Sequence, residues 1–333
     1  MATLALYSAK PYDRRSFDAA LDGAAGEPPT IVYHDVRLDA ATAAYATGAD
    51  VVCGFVNDDF GRDTLTVLAG LGIRGVALRC AGFNNVDLTA AAELGLPVLR
   101  VPAYSPNAVA EHTLALILAL NRHIHRAHNR VRDRNFALDG LVGFDMAGKT
   151  ASVVGTGRIG RIVARLLWHL RCHVVAFDPL PDQGLIDLGV RYAPLDEVLR
   201  VGDIVTLNCP LTEETHHLID ATSIATMKPG VMIVNTGRGA LVDTAALLDG
   251  LKSGHVGSVA LDVYEEEGDL FFEDRSEEIL HDDAFARLLT FPNVLITAHQ
   301  AFLTNEALAA IAATTLANVA DIVAGRESPN AIR

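Results

Sequence analysis

The chain has 333 residues, half of them hydrophobic, enough to bury a substantial core and to favour two domains over one. Its formal charge of -14 at pH 7, with no sustained Lys/Arg run, argues against nucleic acid and anionic membrane surfaces as partners and favours a small ligand. The four cysteines, Cys53, Cys80, Cys172 and Cys209, are scattered without a CxxC pair, which disfavours a disulfide framework or a zinc site and points to a reducing compartment.

The opening MATLALYSAKPYDRRSF carries Lys10, Arg14 and Arg15 where an apolar leader would run, so export is not expected and a cytoplasmic location is. Short apolar runs then alternate with helical patterns. LALYS, IVYHD, DVVCGF, RGVAL and Leu96 to Val101 read as strands. Helices are expected near Tyr12 to Ala25, at a short segment after IVYHD, near Arg62 to Ala69 and near Val86 to Leu94. Ser105-Pro106 is an N-cap and first-turn pair, and AVAEHTLALILALNRHIHRAHNRVR after it reads as one long helix or two collinear ones. Its most apolar part, Thr113 to Leu120, is far shorter than the roughly 20 residues that cross a bilayer. Asn135 to Lys149 is rich in turn residues, a second βα series runs from Thr150 to about Ala298, and Ala307 to Val323 closes the chain as a helix predicted to pack on the first domain. The expected division is residues 1–101 with 300–333, and residues 102–299.

The most specific signal is TASVVGTGRIGRIVARLLWHLRCHVVAFD, a strand, then Gly155-x-Gly157-x-x-Gly160, a helix, a second strand and Asp178. In this context the first glycine permits a tight turn, the second admits a pyrophosphate close to the backbone, and the third lets helix pack on strand. The helix N-terminus favours the anion. Asp178 can accept from the ribose hydroxyls and would repel a 2′-phosphate, so NAD is expected over NADP.

The strands DIVTLN, VMIVN, SVAL and NVLITA end at Cys209-Pro210, Thr236-Gly237-Arg238, Asp262 and His299, the carboxyl edge at which open α/β sheets bind ligands. Reduction of a 2-keto acid on such a sheet needs a fixed cation for the carboxylate and a proton donor for the carbonyl oxygen. Arg238 offers a planar, permanently charged fork, and His299 a ring that titrates near neutrality. A carboxylate beside His299 would hold that ring in one orientation. By residue type alone Glu265, Glu266, Glu267 and Asp269 all qualify.

These motifs sit in blocks that closely resemble the D-isomer-specific 2-hydroxyacid dehydrogenases, and within them the fermentative D-lactate group, over essentially the whole chain. The blocks are RCAGFNNVDL, VPAYSPNAVAEHTLALILALNR, GTGRIG, NCPLTEETHHLI, MKPGVMIVNTGRGALVD, DVYEEEGDLFFED and TAHQAFLTNEAL. The resemblance implies two doubly wound parallel-sheet domains, a flavodoxin-like substrate domain at 1–101 with 300–333 and a Rossmann NAD-binding domain at 102–299, with a cleft between them. It also implies NAD-dependent reduction of pyruvate to D-lactate. Arg238 is then the substrate-binding arginine, Glu267 the acid paired with the histidine, and His299 the acid/base. Cofactor contacts map onto Arg158 and Ile159, Asp178, Cys209, Pro210, Thr215, Thr236, Gly237 and Asp262. The Arg79-Cys80-Ala81-Gly82 turn would offer N–H groups to the substrate carboxylate, with Tyr104 nearby and Phe55 and Phe302 walling the side-chain pocket.

Two positions depart from the family pattern, Gly237 where relatives carry Ser and Ala260 where many carry Gly. The histidines His123, His125 and His128 lack the i, i+4 spacing of a helical metal site, and no metal is expected. A bulkier or hydroxylated 2-keto acid is the alternative substrate, and a non-catalytic NADH-sensing protein the alternative class. The family also implies a homodimer or homotetramer.

Overall fold

The computed structural model describes residues 2–23 and 27–332, and the chain divides into two compact units, Met1–Ser105 with Leu303–Arg333, and Pro106–Phe302. The first unit begins with β1 (Thr3–Leu6), α1 (Pro11–Asp22), β2 (Thr30–Tyr33), β3 (Val51–Gly54), α2 (Arg62–Gly70), β4 (Val76–Leu78), α3 (Leu88–Glu93) and β5 (Val98–Leu99). The end of the first expected helix, through Ala25, falls on residues 24–26 and lies outside the described residues. The strands pair in parallel in the order β2-β1-β3-β4-β5, the flavodoxin-like winding. β3 and β4 are buried along their whole length, which is why VVCG and VAL read as unbroken apolar runs rather than an alternation.

In the second unit the helix after Ser105 is two helices, α4 (Pro106–Asn121) and α5 (Ile124–Arg132), broken at His123, which takes φ +50°. The series continues with β6 (Thr150–Val154), α6 (Gly160–His169), β7 (His173–Phe177), α7 (Gln183–Leu188), β8 (Arg191–Tyr192), α8 (Leu195–Val201), β9 (Ile204–Leu207), α9 (Ala221–Thr226), β10 (Val231–Asn235), α10 (Thr244–Ser253), β11 (Val256–Leu261), α11 (Asp283–Leu289) and β12 (Val294–Ile296). Aspartates cap several of these helices. Asp182, Asp220, Asp243 and Asp282 each accept an N–H from the first turn, the donors a helix start leaves unpaired.

The seven-stranded parallel sheet runs β12-β11-β10-β9-β6-β7-β8. Counted from β6 this is the Rossmann order with one strand added, and the direction of winding reverses between β6 and β9. Alternate residues feed opposite faces. Ala151 and Val153 of β6 and Met232 and Val234 of β10 join α4 and α6 in one core, while Val154, Val205 and Ile233 join α9 and α10 in another.

The last helix, α12 (Asn305–Ala324), has the length and apolar composition of a membrane span. Its Ala312, Val319 and Ile322 nonetheless pack with Leu4, Phe17, Val51 and Ala77 in the core of the first unit.

Candidate active site and cofactor cradle

The winding reversal places the glycine loop against the end of β9. Gly155 has φ +86°, and a Cβ there would lie 2.7 Å from the Cys209 N–H nitrogen, so both backbone conformation and space exclude a side chain. At Gly160 a Cβ would overlap the Gly155 carbonyl, whereas at Gly157 nothing lies within 4 Å. The loop is thus closed beneath and open above, which fits a pyrophosphate resting on its backbone. Arg158 is exposed beside it and Ile159 half-buried.

Asp178 holds this loop. Its Oδ2 accepts from the Thr156 N–H at 2.6 Å and its Oδ1 from the Leu180 N–H at 2.8 Å. After β9, Thr215 donates to the Pro210 carbonyl at 2.7 Å and accepts from the Thr212 N–H, closing the turn that carries Cys209 and Pro210. Burial pushes the Cys209 thiol up to about 11, so it stays protonated near neutral pH. Thr236, after β10, shares a 2.8 Å hydrogen bond with Thr113 of α4.

His299 follows β12 with φ +51°. Its Nδ1 lies 2.7 Å from Glu267 Oε1, and the two side chains are 18% and 21% exposed. With Glu267 ionised, that contact requires the hydrogen on Nδ1 and leaves Nε2 as the reactive nitrogen. The other Glu267 oxygen accepts from the Tyr264 N–H at 3.0 Å.

The acids left open by residue type therefore separate by contact. Glu265 binds His217 Nε2 at 2.5 Å and Thr244 at 2.9 Å, Glu266 is exposed, and the side chain of Asp269 lies outside the described residues.

Asp262 organises the backbone around the histidine. Fully buried, it accepts from Thr297 Oγ1 at 2.5 Å, from the Gln300 N–H and the Ala301 N–H at 2.9 Å each, and its carbonyl accepts the His299 N–H at 2.7 Å. His112 Nε2 of α4 lies 3.4 Å from its Oδ1. Burial pushes its carboxyl up, but hydrogen bonds from His112, Thr297, Ala301 and Gln300 outweigh burial and hold it below the usual range. Nothing in the sequence pointed to this anchoring role.

Arg238 is half-buried on a loop braced by Asn235, whose side chain donates to the Arg238 carbonyl at 2.8 Å and accepts the Gly237 N–H at 3.0 Å. Its Nη1 donates to the Gly237 carbonyl at 2.7 Å. A Cβ at Gly237 would meet Leu241 Cδ1 at 3.3 Å, so the serine of relatives is accommodated by a small shift of a flexible side chain. Ala260 is fully buried in β11. Phe302 is 7% exposed at the end of this unit.

In the first unit one expectation is corrected. The Arg79 N–H donates to the Gly54 carbonyl at 3.1 Å and is not available to a substrate. Its side chain is 1% exposed, with Nε 3.2 Å from Asp13, Nη2 on the Ser8 carbonyl at 2.9 Å and the guanidinium 4.8 Å over the Phe55 ring. An extension of the sheet ladder captures this N–H, and RCAG as a motif does not reveal that. Past it, Cys80 is buried, and the N–H groups of Ala81 and Gly82 have no partner among the described residues. Phe55 is 7% exposed with its N–H on Asp58 at 2.6 Å, and Tyr104 is half-buried.

One cluster escaped the sequence reading. His216, His217 and Glu265 bring their ligand atoms within 4.8 Å of one another. The two imidazoles are stacked 3.9 Å apart at 28°, which points their in-plane lone pairs past a common ion rather than at it.

Compared with known proteins, residues 114–301 match the family model of the D-isomer specific 2-hydroxyacid dehydrogenase, NAD binding domain. The chain is 49% identical over 327 residues to the D-lactate dehydrogenase of Escherichia coli, covering 98% of each. Among solved structures it is similar to the pyruvate reductase of Chlamydomonas reinhardtii, with TM-score 0.93, 45% identity and coverage of 99% and 98%. It is also similar to the D-lactate dehydrogenase of Aquifex aeolicus, complexed with NAD and lactic acid, with TM-score 0.84, 31% identity and coverage of 97% and 96%.

Proposed function

Since the chain belongs to the D-isomer specific 2-hydroxyacid dehydrogenases, an NAD-dependent family of oxidoreductases, we propose that it interconverts pyruvate and D-lactate. The observation that carries this reading is the Glu267–His299 pair at 2.7 Å, standing at the carboxyl edge of the same sheet that carries the glycine loop. The names of its near relatives, D-lactate dehydrogenase and pyruvate reductase, support the substrate.

When bound, the nicotinamide supplies the hydride chemistry. His299 donates its Nε2 proton to the carbonyl oxygen in reduction and takes it back in oxidation, with Nδ1 held by Glu267. Arg238 has further donors beyond the one on Gly237 and pairs with the carboxylate of the acid. Gly157, Arg158, Ile159, Asp178, Cys209, Pro210, Thr215 and Thr236 form the cofactor cradle. Ala81 and Gly82 are the proposed N–H donors to the acid, and Tyr104, Phe55 and Phe302 its proposed apolar neighbours. We further propose a cytoplasmic location and a homodimer or homotetramer, the assembly being supported by the exposed apolar side chains Ile124, Val131, Phe136, Leu138 and Val142 of α5 and the loop after it.

The test is NADH oxidation by the purified chain with pyruvate, hydroxypyruvate, phenylpyruvate, 2-ketoisocaproate and oxaloacetate, followed by chiral analysis of the product. Pyruvate leading with D-lactate formed is the expected result, and His299→Ala should abolish turnover while leaving NADH binding intact. A bulkier acid leading would move the substrate within the family. L-product, or NADH binding without turnover of any acid, would overturn the reading.

A further inference from the structure

The segment after β11 reaches His299 twice. Glu267 takes Nδ1, and the ring of Phe272 lies 5.8 Å from the imidazole, tilted by 39°. Between these two residues the Leu270 and Phe271 N–H groups both donate to the Glu267 carbonyl at 3.0 Å, closing one tight turn. Phe271 then enters the core at 5% exposure, edge-on to Phe285 at 5.8 Å. With Phe271 anchored inward, Phe272 is turned back toward the histidine in a left-handed conformation, φ +71°, which bulky L residues rarely adopt. Strain of this kind persists only where surrounding contacts enforce it, and it clusters at functional sites.

A single hydrogen bond fixes a point on an imidazole but not its plane. The Glu267 contact still leaves the ring able to rock by small coupled changes in χ1 and χ2 with Nδ1 kept near Oε1, and such rocking swings Nε2 away from the reacting oxygen. We propose that Phe272 is a positioning residue for the dehydrogenase reaction. Its ring blocks that rocking and keeps water from the exposed side of the Glu267–His299 pair, so that the same short segment holds His299 by a carboxylate and by an aromatic face. The proposal rests on the reading of His299 as the acid/base.

The test uses the whole chain with NADH and compares Phe272→Gly, Phe272→Leu and Phe272→Tyr. Glycine suits the left-handed backbone, so it removes the ring without adding strain, and its melting temperature should stay at or above that of the parent. Because small misplacements of a reacting group are costly, kcat should fall by about 10-fold or more in Phe272→Gly, with the NADH dissociation constant within about twofold. The isotope effect from deuterated NADH should change, and Phe272→Tyr should restore kcat to within about twofold of the parent. A kcat for Phe272→Gly within about twofold of the parent would overturn the proposal. Side-chain NMR relaxation of His299, assigned by its absence in His299→Ala, should show greater ring mobility in Phe272→Gly and not in Phe272→Tyr, and unchanged mobility would overturn it equally. That measurement needs no turnover, so a chain that reduces no keto acid would sink the proposed function while leaving the Phe272 question decided.

Discussion

Replacing Glu267 by Gln tests the acid/base pair at its most informative atom. The wild-type carboxylate accepts from two directions, the Tyr264 N–H at 3.0 Å and His299 Nδ1 at 2.7 Å. A carboxamide has only one oxygen, and the backbone N–H can be satisfied only by that oxygen. The amide NH2 must then face Nδ1, which is forced to become an acceptor, and the ring hydrogen moves to Nε2. An imidazole in that form already carries its hydrogen on Nε2 and cannot take the substrate proton there in oxidation, and the imidazolium needed for reduction would set Nδ1–H against the amide NH2, the same tautomer inversion that disables triad histidines. A hydrogen bond to a charged group contributes about 1.5–3 kcal/mol, and since the pair is only 18% and 21% exposed, little of that is screened. At about 1.4 kcal/mol per factor of ten, kcat/KM should fall roughly 10- to 150-fold. With cofactor affinity unchanged, the thermodynamic cycle requires the same factor for pyruvate reduction and D-lactate oxidation, so measuring both directions by NADH absorbance is an internal check. Glu265→Gln, which disturbs His217 and Thr244 instead, is the control and should stay within about threefold. A loss confined to Glu265→Gln, or less than about threefold for Glu267→Gln in a folded protein, would refute the assignment of Glu267.

Asp178→Ser removes the charge that disfavours a 2′-phosphate, so the NADPH-to-NADH ratio of kcat/KM should rise by about tenfold or more, while NADH itself binds less tightly because the Thr156 N–H loses its acceptor. Arg79→Ala leaves Asp13 buried and uncompensated and should cost about 3–5 kcal/mol in denaturant unfolding, a loss too large for a surface contact. Asp262 has a carboxyl held low in the folded chain, so its stabilisation is fully present above its unfolded value of about 3.9 and is lost as pH falls through the folded value. Asp262→Asn should accordingly flatten the fall in unfolding free energy below about pH 4 relative to the parent. Gly237→Ser meets only Leu241 Cδ1 at close range and should leave kcat and melting temperature within about twofold and a few degrees of the parent.

Both parallel sheets and the dinucleotide loop were legible because each rests on local rules. Unbroken apolar runs mark strands covered on both faces, and the glycine spacing is dictated by steric limits that act within a few residues. Gly155 and Gly160 meet those limits as expected. What the sequence left open depended on tertiary distance. Glu265, Glu266 and Glu267 are consecutive and chemically identical, so residue type left the choice open, the resemblance pointed to Glu267, and the turn after Tyr264 gives the physical reason by carrying one carboxylate to His217 and another to His299. Arg79 misled because the resemblance assigns the whole Arg79-Cys80-Ala81-Gly82 turn to the substrate and does not show which of its N–H groups the sheet already uses. Its role as a buried brace under Phe55 is fixed by Asp13 and Ser8, which lie 66 and 71 residues away in the chain.

Polar residues at the carboxyl ends of these strands differ in burial more than in chemistry, and the most buried of them holds others in place. Asp262, assigned to the cofactor by resemblance, is 0% exposed and is bonded to the His299 loop. Gly157 and Arg158 stand exposed at the rim, and Glu267 and His299 are half-buried. His299 needs such support because φ +51° is an unfavourable backbone conformation for a non-glycine residue, and the proposed acid/base role asks for one fixed orientation. Asp262 supplies it at three successive points, the His299 N–H through its carbonyl and the Gln300 and Ala301 N–H groups through its carboxylate. Pre-organisation of the proposed acid/base is therefore built into the end of β11, one strand away from the histidine it braces.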